Sequence, residues 1–482
     1  MYREKIRQYF NEMSVHKDNR STAMANLLQQ SFLRDWLLKK YQDSDTGDTD
    51  IEAMQSFIKQ HIPPKDDWNQ IKARLRDGEL VSILAKIEVD LNLKTNALSF
   101  ALPDYDVNTS ETLIEESVWD KSRDILTRSD VQWGQIRLAY RPPTTPEKKD
   151  GKIVLKQFAN FCPYTLDLEY YKDMRREFTL DEWINVLLEA MDYNANGYKN
   201  QLEKLTTLSR LLIFVQNNLN MIELAPKGTG KTYMFARLSK YGTCIASKMS
   251  RASLFYNMSS HKQGPIFKND FIALDEAQTA SVNDIPEMRT ALKSYLEDGR
   301  FKSSDGFEAS AKAGLIALAN IPVGEMNTNA PMYKYLQEMF NESALWDRFH
   351  GFIEGWNIPR VRENLKMDGW ALNTEYFSSI LHMLRSDSTY EAIVDDLIEP
   401  PVAADTRDTK AVKRIASAWL KLLFPHVRSA DDVLYNEDLY YQFNDKCLRP
   451  AKEARSIIRR QLALMDEEFA NKPLANYQMV KP

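Results

Sequence analysis

A glycine-rich loop followed by a lysine and a hydroxyl residue lies near the middle of the chain, in the segment ELAPKGTGKTYMFARL. It fits the nucleotide-phosphate loop pattern of glycine, four residues and Gly-Lys-Ser/Thr at every position but the first. The apolar stretch LNMIEL before it predicts a buried strand, and YMFARLSKYG after it predicts a helix whose N-terminus faces the bound anion. The residues expected to bind the nucleotide are Pro226, Lys227, Gly228, Thr229, Gly230, Lys231 and Thr232.

The loop departs from the usual pattern at its first position, where Ala225 stands in place of glycine. A residue before proline is restricted to extended backbone with negative φ, which alanine adopts as easily as glycine. The glycines that let backbone N–H groups close on phosphate oxygens, Gly228 and Gly230, are both present. The alternative is a turn that contains Gly-Lys-Thr by coincidence, and the strand, loop and helix together favour nucleotide binding over it.

Polar side chains end the next two apolar strands. The strand predicted in FIALDEAQ ends at Asp275 and Glu276. We predict that Asp275 binds Mg²⁺ with Thr232. We also predict that Glu276 polarises the water attacking the γ-phosphate. Alone, such a pair is more often a helix cap or a solvated edge, but the nearby loop favours the catalytic interpretation. The strand predicted in AGLIALANIP ends at Asn320, whose amide could orient the attacking water. The alternative for Asn320 is a turn residue before proline.

Two arginines are candidates for contacts with the phosphates from farther along the chain. Arg348 in SALWDRFHGFIEGW follows a helical segment and could complete a neighbouring subunit's site in a head-to-tail ring. The alternative for Arg348 is a structural salt bridge that involves Asp347 or its neighbours. Arg407 is a candidate lid arginine that senses nucleotide in the same subunit, and Lys413 and Arg414 compete for that role.

Changes in the hydrophobic period divide the chain into three predicted domains. Residues 1–190 begin with helices, and then AKIEVDLNLKTNALSFAL, WGQIRLAY and KIVLKQF alternate as in a small antiparallel sheet. A capping box at Thr179 and Glu182 starts a helical stretch that leads into the phosphate loop. Strands and helices alternate over residues 191–365, which predicts an α/β core with a parallel sheet, and residues 366–482 are mostly helical.

The composition of the 482-residue chain excludes several classes of protein. Its longest apolar runs, such as LLIFV, are too short to span a bilayer, and its N-terminus lacks the apolar core of a secretion signal. We therefore expect a cytoplasmic protein without membrane contacts. Three scattered cysteines and six isolated histidines have no zinc-ligand spacing. The net charge of −5 excludes a uniformly basic nucleic-acid binder, so contacts with DNA would have to come from local patches.

The order of these sites is typical of AAA+ ATPases, and the chain resembles one family more closely. It looks like the BrxL family, the Lon-related AAA+ proteins of bacterial BREX phage-defence systems. The resemblance covers about residues 170 to 430 strongly and residues 80 to 165 more loosely. The segments that carry it are FTLDEWINVLLEAM, NLNMIELAPKGTGKTYMFARLSKYG, ASLFYNMSSHKQGPI, FIALDEAQT, ALKSYLEDGRF and WDRFHGFIEGWNIPR.

The resemblance implies more than the residues show by themselves. It implies an AAA+ core with a helical lid and an N-terminal α+β domain, and it gives Arg348 the arginine-finger role. It also implies ATP hydrolysis with Mg²⁺ by a ring, a hexamer or paired hexamers, that binds DNA and works with other defence-system proteins. Full-length members carry a C-terminal Lon-like domain with a serine and lysine pair, whereas this sequence stops at Pro482, so we expect no peptidase activity.

A hairpin is predicted in LEDGRFKSSDGFEASAKAGL, ahead of the strand that ends in Asn320. In the helicase relatives the equivalent insertion carries a basic tip into the central pore. Lys302 and Lys312 are therefore candidates for contacts with DNA phosphates, and a solvent-exposed hairpin without a ligand is the alternative.

The leading hypothesis is a DNA-binding AAA+ ring that couples ATP hydrolysis to translocation on DNA or remodelling of DNA in phage defence. One alternative is a Lon-type protein unfoldase, whose pore needs an apolar or aromatic loop. Phe255 and Tyr256 in LFYNMSS are the candidates for that loop, but their spacing is that of a buried helix. Another alternative is a regulatory scaffold that binds ATP in order to assemble.

Overall fold

The chain forms two compact units in the computed structural model, which describes residues 2–18, 30–92, 96–127, 132–145, 147–246, 249–259, 261–279 and 281–481. The long unit consists of Met1–Asp35 and Leu166–Pro482, and the short unit is Trp36–Thr165. Within the described residues, none of the helices combines the length and the apolar character that a membrane crossing requires.

The strands are numbered in chain order: β1 (Ser14–Asp18), β2 (Val81–Asn92), β3 (Ala97–Ala101), β4 (Thr112–Ile114), β5 (Gln132–Arg141), β6 (Lys152–Asn160), β7 (Asn220–Ala225), β8 (Gly242–Ile245), β9 (Tyr256–Asn257), β10 (Lys262–Gln263), β11 (Phe271–Leu274), β12 (Arg300–Lys302), β13 (Glu308–Ser310), β14 (Gly314–Asn320), β15 (Gly351–Glu354), β16 (Asp368–Leu372), β17 (Ile398–Glu399) and β18 (Gln478–Met479). The α-helices within the described residues are Tyr2–Phe10, Ser31–Tyr41, Ile51–His61, Trp68–Arg76, Glu116–Leu126, Leu168–Met174, Leu180–Ala190, Gln201–Leu208, Leu212–Val215, Lys231–Arg237, Arg251–Leu254, Ile285–Asp298, Ser343–Trp346, Thr374–Ser386, Thr389–Leu397, Thr406–Leu423, Ala430–Leu434, Glu437–Phe443 and Arg449–Met465. A π-helical turn, Asn444–Leu448, precedes the last of them.

A parallel sheet with the strand order β15-β7-β14-β11-β8 forms the centre of the long unit. Every residue of β7 and of β11 is buried, as expected for strands covered on both faces. The predicted α/β core is confirmed in this sheet. Because β14 lies between β7 and β11, the residues that follow these three strands meet at one edge of the sheet. We call this the loop edge, and the edge where the strands begin the entry edge.

The long unit crosses both predicted domain boundaries, near residues 190 and 365. Strand β1 pairs antiparallel with β16, from Ser14 opposite Leu372 to Asp18 opposite Asp368. The Trp183 indole N–H donates a hydrogen bond to the Leu422 carbonyl, 3.1 Å away. Segments from the two ends of the chain therefore pack together in one unit. Local sequence patterns do not report such long-range pairing, which is why the predicted boundaries differ from the limits of the two units.

The short unit has the strand order β3-β2-β5-β6-β4. Its pairs are antiparallel except for β4 and β6, which run parallel, and the helix Glu116–Leu126 connects β4 to β5. The Thr112 hydroxyl accepts a hydrogen bond from the Phe100 N–H at 2.9 Å and donates one to the Phe100 carbonyl, so that it joins β4 to β3. This topology is that of the OB-fold, a five-stranded Greek-key barrel. The predicted small antiparallel sheet is present, and the parallel strand β4 was not predicted.

Candidate nucleotide-binding and hydrolysis site

The backbone of the predicted phosphate loop has the conformation that its glycines permit. Gly228 and Gly230 have φ values of 86° and 75°, a backbone region that residues other than glycine rarely adopt. Ala225 is the last residue of β7, as expected for extended backbone before a proline. A Cβ on Gly355 would lie 2.4 Å from the Ala225 Cβ. The glycine at 355 therefore leaves room for the methyl group that replaces the usual loop glycine.

Four of the predicted site residues meet at the loop edge. The Lys231 ammonium donates a hydrogen bond to the Asn320 Oδ1 at 3.0 Å. The Thr232 hydroxyl donates one to the Asp275 Oδ2 at 2.5 Å. These residues come from three separate segments, and the strand order brings them together because β14 places Asn320 between the loop and Asp275. A hydroxyl and a carboxylate oxygen at this separation form the kind of oxygen pair that binds Mg²⁺ directly or through water.

Lys231 is held inside the loop and is largely buried. Its ammonium also lies 3.4 Å from the Ala225 carbonyl and 3.4 Å from the Pro226 carbonyl. Burial lowers the pKa of Lys231, and the nearby Glu223 and Asp275 carboxylates partly oppose that shift. An anionic ligand in the loop would raise the pKa again. Lys231 is thus placed to gain stabilisation from a bound phosphate.

Glu276 follows β11 in a strained conformation. Its φ is 50°, a left-handed value that costs about 1–3 kcal/mol for a residue other than glycine. The Glu276 N–H donates a hydrogen bond to the Asp275 Oδ1 at 2.9 Å. The Glu276 carboxylate is exposed and forms no hydrogen bond with the described part of the chain. This geometry leaves the carboxylate available to a water molecule at the loop edge.

A buried ion pair that sequence reasoning missed supports the loop from beneath. Arg210 and Glu223 are both fully buried, with 2.5 Å between the Arg210 Nη2 and the Glu223 Oε1. Arg210 also donates hydrogen bonds to the Thr229 carbonyl at 2.8 Å and to the Thr229 hydroxyl at 3.2 Å. Burial opposes the charge on Arg210, but Glu223 raises its pKa above the ordinary value. The available signal was Glu223 itself, the single acid in a buried strand.

Arg348 and Arg407 lie at the entry edge, away from the loop of the same chain. Arg348 Nε is 3.0 Å from the Glu297 Oε2, and Arg407 contacts Glu297 at 2.9 Å and Asp347 at 2.8 Å. Since a strand rises about 3.3 Å per residue, the six residues of β7 separate the two edges by about 20 Å. The predicted role of Arg407 as a sensor in the same subunit does not fit this position. For Arg348 the salt-bridge alternative is present, with Glu297 as its partner.

The two residues that competed for the lid role do not reach the loop either. The Lys413 ammonium lies 2.9 Å from an Asp395 carboxylate oxygen. Arg414 donates a hydrogen bond to the Asn218 carbonyl at 3.0 Å, just before β7 begins. Arg414 therefore belongs to the entry edge, together with the arginines described above.

The predicted hairpin is confirmed as the antiparallel pair β12 and β13. Lys302 lies on it with 71% of its side chain exposed, and its nearest carboxylate, Glu308, is 3.7 Å away. Lys312 is exposed but follows β13, and its carbonyl accepts a hydrogen bond from Arg385 at 2.6 Å. Lys302 is therefore presented by the hairpin, whereas Lys312 lies at the hairpin's base.

The aromatic residues proposed for an unfoldase pore loop are buried. Phe255 stacks on Phe301 with 4.8 Å between ring centroids, and Tyr256 stacks on Phe307 at 4.0 Å. Phe255 is inaccessible to solvent and Tyr256 is 5% exposed. Both side chains belong to the core beneath the hairpin, so neither is available to grip an extended polypeptide.

Two family models match the chain, one after the other along the sequence. The model described as Lon-like protease BrxL-like, ATPase domain, matches residues 153–475, which include every site residue discussed above. The model described as BREX system Lon protease-like protein BrxL N-terminal matches residues 8–140. The chain belongs to the BrxL family. The resemblance predicted from the sequence is confirmed, and the phosphate loop lies in the ATPase domain of this BREX-associated family.

Two curated relatives in the BrxL family are each named Lon-like protease BrxL. The protein from Escherichia coli O9:H4 (strain HS) is 26% identical over 462 residues, which cover 95% of this chain and 64% of the relative. The protein from Bacillus cereus (strain H3081.97) is 24% identical over 429 residues, which cover 88% of this chain and 62% of the relative. The chain thus spans less than two thirds of the length of these relatives.

Proposed function

We propose that the chain hydrolyses ATP at the loop edge of its parallel sheet, as an AAA+ ATPase whose lid is formed by its C-terminal helices. The observation that supports this most strongly is the convergence of Lys231, Thr232, Asp275 and Asn320 from three sequence segments, with separations of 3.0 and 2.5 Å between the paired side-chain atoms. A coincidental Gly-Lys-Thr turn would not bring these partners together.

Each residue has a role that its position suits. The loop N–H groups and Lys231 would hold the β- and γ-phosphates. Thr232 and Asp275 would hold Mg²⁺, which neutralises charge on the phosphates when it is bound. Glu276 would accept a proton from the attacking water, since its carboxylate is exposed at the end of β11. Asn320 would orient that water while it contacts Lys231.

The site is incomplete without a second copy of the chain. Arg348 lies about 20 Å from the loop of its own subunit, beyond the length of β7. A head-to-tail ring joins two different surfaces of neighbouring subunits, so the entry edge of one subunit could face the loop edge of the next. Arg348 would then supply positive charge to the neighbour's γ-phosphate. We therefore propose a ring, a hexamer or paired hexamers.

DNA is the polymer on which we propose that this ring acts, in BREX-type phage defence. The hairpin presents Lys302 to solvent, and the short unit has the OB-fold topology, which binds oligonucleotides in other proteins. The second support is an analogy at the level of the fold. The two matched family models describe an N-terminal and an ATPase domain, so peptide-bond cleavage is not part of the proposal.

The experiment that tests this function is the steady-state ATPase rate without polymer, with double-stranded DNA, with single-stranded DNA and with an unfolded protein, each at two salt concentrations. We expect stimulation by DNA that weakens as salt rises, because contacts with phosphates release counterions. The E276Q variant should bind ATP and lack turnover, and K302Q should lose only the stimulation by DNA. Stimulation by the unfolded protein alone would assign an unfoldase instead.

A further inference from the structure

A cavity of about 1110 Å³ opens beside the phosphate loop. Its walls are the loop itself, the segment after β14, the helix Gln201–Leu208 and the segment after β15. Trp356, Ile358, Val323 and Met326 give part of the wall an apolar character. A space of this size beside a phosphate loop can hold the part of a nucleotide that lies outside the loop.

Four cations line this cavity, and none has an ion-pair partner among the described residues. They are exposed side chains that come from three separate segments: Lys199, Lys227, Arg360 and Arg362. One carboxylate, Glu203, also lines the cavity, and it accepts a hydrogen bond from the Lys199 backbone N–H at 2.8 Å. The cavity therefore carries an excess of positive charge.

Arg360 is fixed against the loop. The Val361 N–H donates a hydrogen bond to the Gly228 carbonyl at 2.9 Å. A Cβ on Gly228 would lie 2.8 Å from the Arg360 Nε and 3.1 Å from its Cγ. The absence of a side chain at Gly228 therefore lets the Arg360 side chain lie over the loop, while its guanidinium has no partner in the described part of the chain. Arg360 thus lies beside the loop of its own chain, a position that was predicted for Arg407 but that Arg407 does not reach.

We propose that Arg360 binds the nucleotide held by the phosphate loop of its own chain, at the phosphates that ATP and ADP share, with Arg362 as a second and weaker cation. This inference rests on the proposed ATP binding at that loop. A guanidinium offers planar, permanently charged donors that suit phosphate oxygens. Lys231 donates a hydrogen bond to Asn320, which lines the same cavity as Arg360. Arg360 and Lys231 would thus act on the same phosphate chain.

Ordinary solvated arginines differ from Arg360 in two respects. A solvated arginine is free to move away from its neighbours, whereas the backbone beside Arg360 is hydrogen-bonded to Gly228. Exposed arginines elsewhere in the long unit, such as Arg300 and Arg428, have carboxylate partners. Unpaired cations that converge on one cavity beside a phosphate loop indicate a polyphosphate ligand.

The test compares the affinities of ATP, ADP and adenosine for the wild type, R360Q, R362Q and R300Q by isothermal titration calorimetry. Because Arg360 is assigned to phosphates that ATP and ADP share, R360Q should weaken the binding of ATP and of ADP equally, by about tenfold to a hundredfold. Adenosine should bind the wild type and R360Q alike. R362Q should have a smaller effect, and R300Q, which removes an exposed arginine elsewhere, should have none.

Three results separate the possible failures. Unchanged ATP and ADP affinities in R360Q would overturn the inference while leaving the proposed ATPase intact. Weakening of ATP alone would also overturn it, because the contact would then be with the γ-phosphate. If the wild type binds neither nucleotide while K231A and the wild type have the same melting temperature, the proposed function has failed. R360K should recover part of the affinity, which a purely structural role of the arginine would not produce.

Discussion

The two edges of the parallel sheet carry positive charge in opposite ways. At the loop edge, Arg360 and Arg362 are exposed and have no ion-pair partner in the described part of the chain. At the entry edge, Arg348 and Arg407 are held by Glu297, and the buried Arg455 is held by Asp347 and Asp408. The loop edge is therefore prepared for an anion, whereas the entry edge already contains its own carboxylates.

This difference indicates where the nucleotide binds and what the neighbouring subunit has to do. A ligand can occupy the loop edge without breaking an ion pair. An arginine from the entry edge can reach a neighbour's phosphate only if it leaves its carboxylate. Although Arg348 is largely covered, Glu297 is 39% exposed, so water can solvate the carboxylate when the arginine leaves it.

The largest effect is expected from removing the finger arginine. The R348A variant should lose roughly a thousandfold or more in turnover number, because an arginine finger contributes that much to phosphoryl transfer. Its affinity for ATP should change far less, because an interaction made mainly in the transition state lowers turnover rather than ground-state binding. The measurement is steady-state turnover together with calorimetric ATP binding. R348K should remain strongly impaired although it keeps the charge, and a fully active R348A variant would remove Arg348 from the mechanism.

Removing the buried ion pair beneath the loop should give the next largest effect. R210M leaves Glu223 buried without a partner, which should lower the free energy of unfolding by about 3 to 5 kcal/mol. The double variant R210M/E223L replaces the pair with apolar side chains and should recover most of that stability. Chemical denaturation measures this difference.

ATP affinity then separates packing from positioning in the same variants. Thr229 loses both hydrogen bonds from Arg210 in either variant. ATP affinity should therefore stay low in R210M/E223L, although its stability is mostly recovered. If R210M/E223L binds ATP like the wild type, the pair only stabilises the fold and does not position the loop.

A smaller effect is expected from freeing the entry-edge arginines. E297Q removes the carboxylate that Arg348 and Arg407 share, so both should transfer more easily to a neighbour's phosphate. We expect turnover to rise by roughly two- to fivefold with less than about 1 kcal/mol lost in stability, because the pair is partly exposed. E342Q breaks a comparable pair with Lys293 and serves as the control. Slower turnover in E297Q would mean that Glu297 positions the arginines rather than competes for them.

The smallest expected effect is an acid dependence at the entry edge. His350 is buried beside Arg414, and burial together with that arginine lowers its pKa well below the ordinary value of 6.5. Below pH 6.5 the unfolded chain takes up a proton that the folded chain does not. The folded state should therefore lose up to about 1.4 kcal/mol for each pH unit below 6.5.

The H350N variant isolates this contribution. Denaturation of the wild type and H350N at pH 7.5, 6.5 and 5.5 should show a gentler decline of stability with acid in H350N. Parallel curves for the two proteins would mean that His350 takes up its proton equally in the folded and unfolded chains, and that the assigned shift is wrong. His426, whose pKa burial lowers to about 4, remains in both proteins and cancels in the comparison.

The sequence predicted the elements that local patterns specify. The strands around the phosphate loop were predicted because β7, β11 and β14 are mostly apolar and chemically distinctive residues lie at or just after their ends. The convergence of Lys231, Asp275 and Asn320 followed from those strand ends. The capping box at Thr179 is also present, with its hydroxyl accepting from the Glu182 N–H.

Predictions failed where long-range pairing decides the outcome. No local pattern joins β1 to β16, places Arg407 at the entry edge or brings Arg210 beneath the loop. The four cations of the cavity come from three separate segments, so their convergence is visible in three dimensions alone. Arg360 illustrates this point, since it ends the quoted segment WDRFHGFIEGWNIPR and no sequence pattern assigned it a function.

The most direct test of the central claim mixes two inactive variants. K231A lacks an intact loop edge and R348A lacks an intact entry edge. In a randomly mixed ring, about a quarter of the interfaces combine an intact loop with an intact arginine, because the two edges belong to different subunits. We predict that the mixture regains ATPase activity at about a quarter of the wild-type rate. A mixture as inactive as its two components, with both variants shown to co-assemble, would contradict a site shared between neighbouring copies.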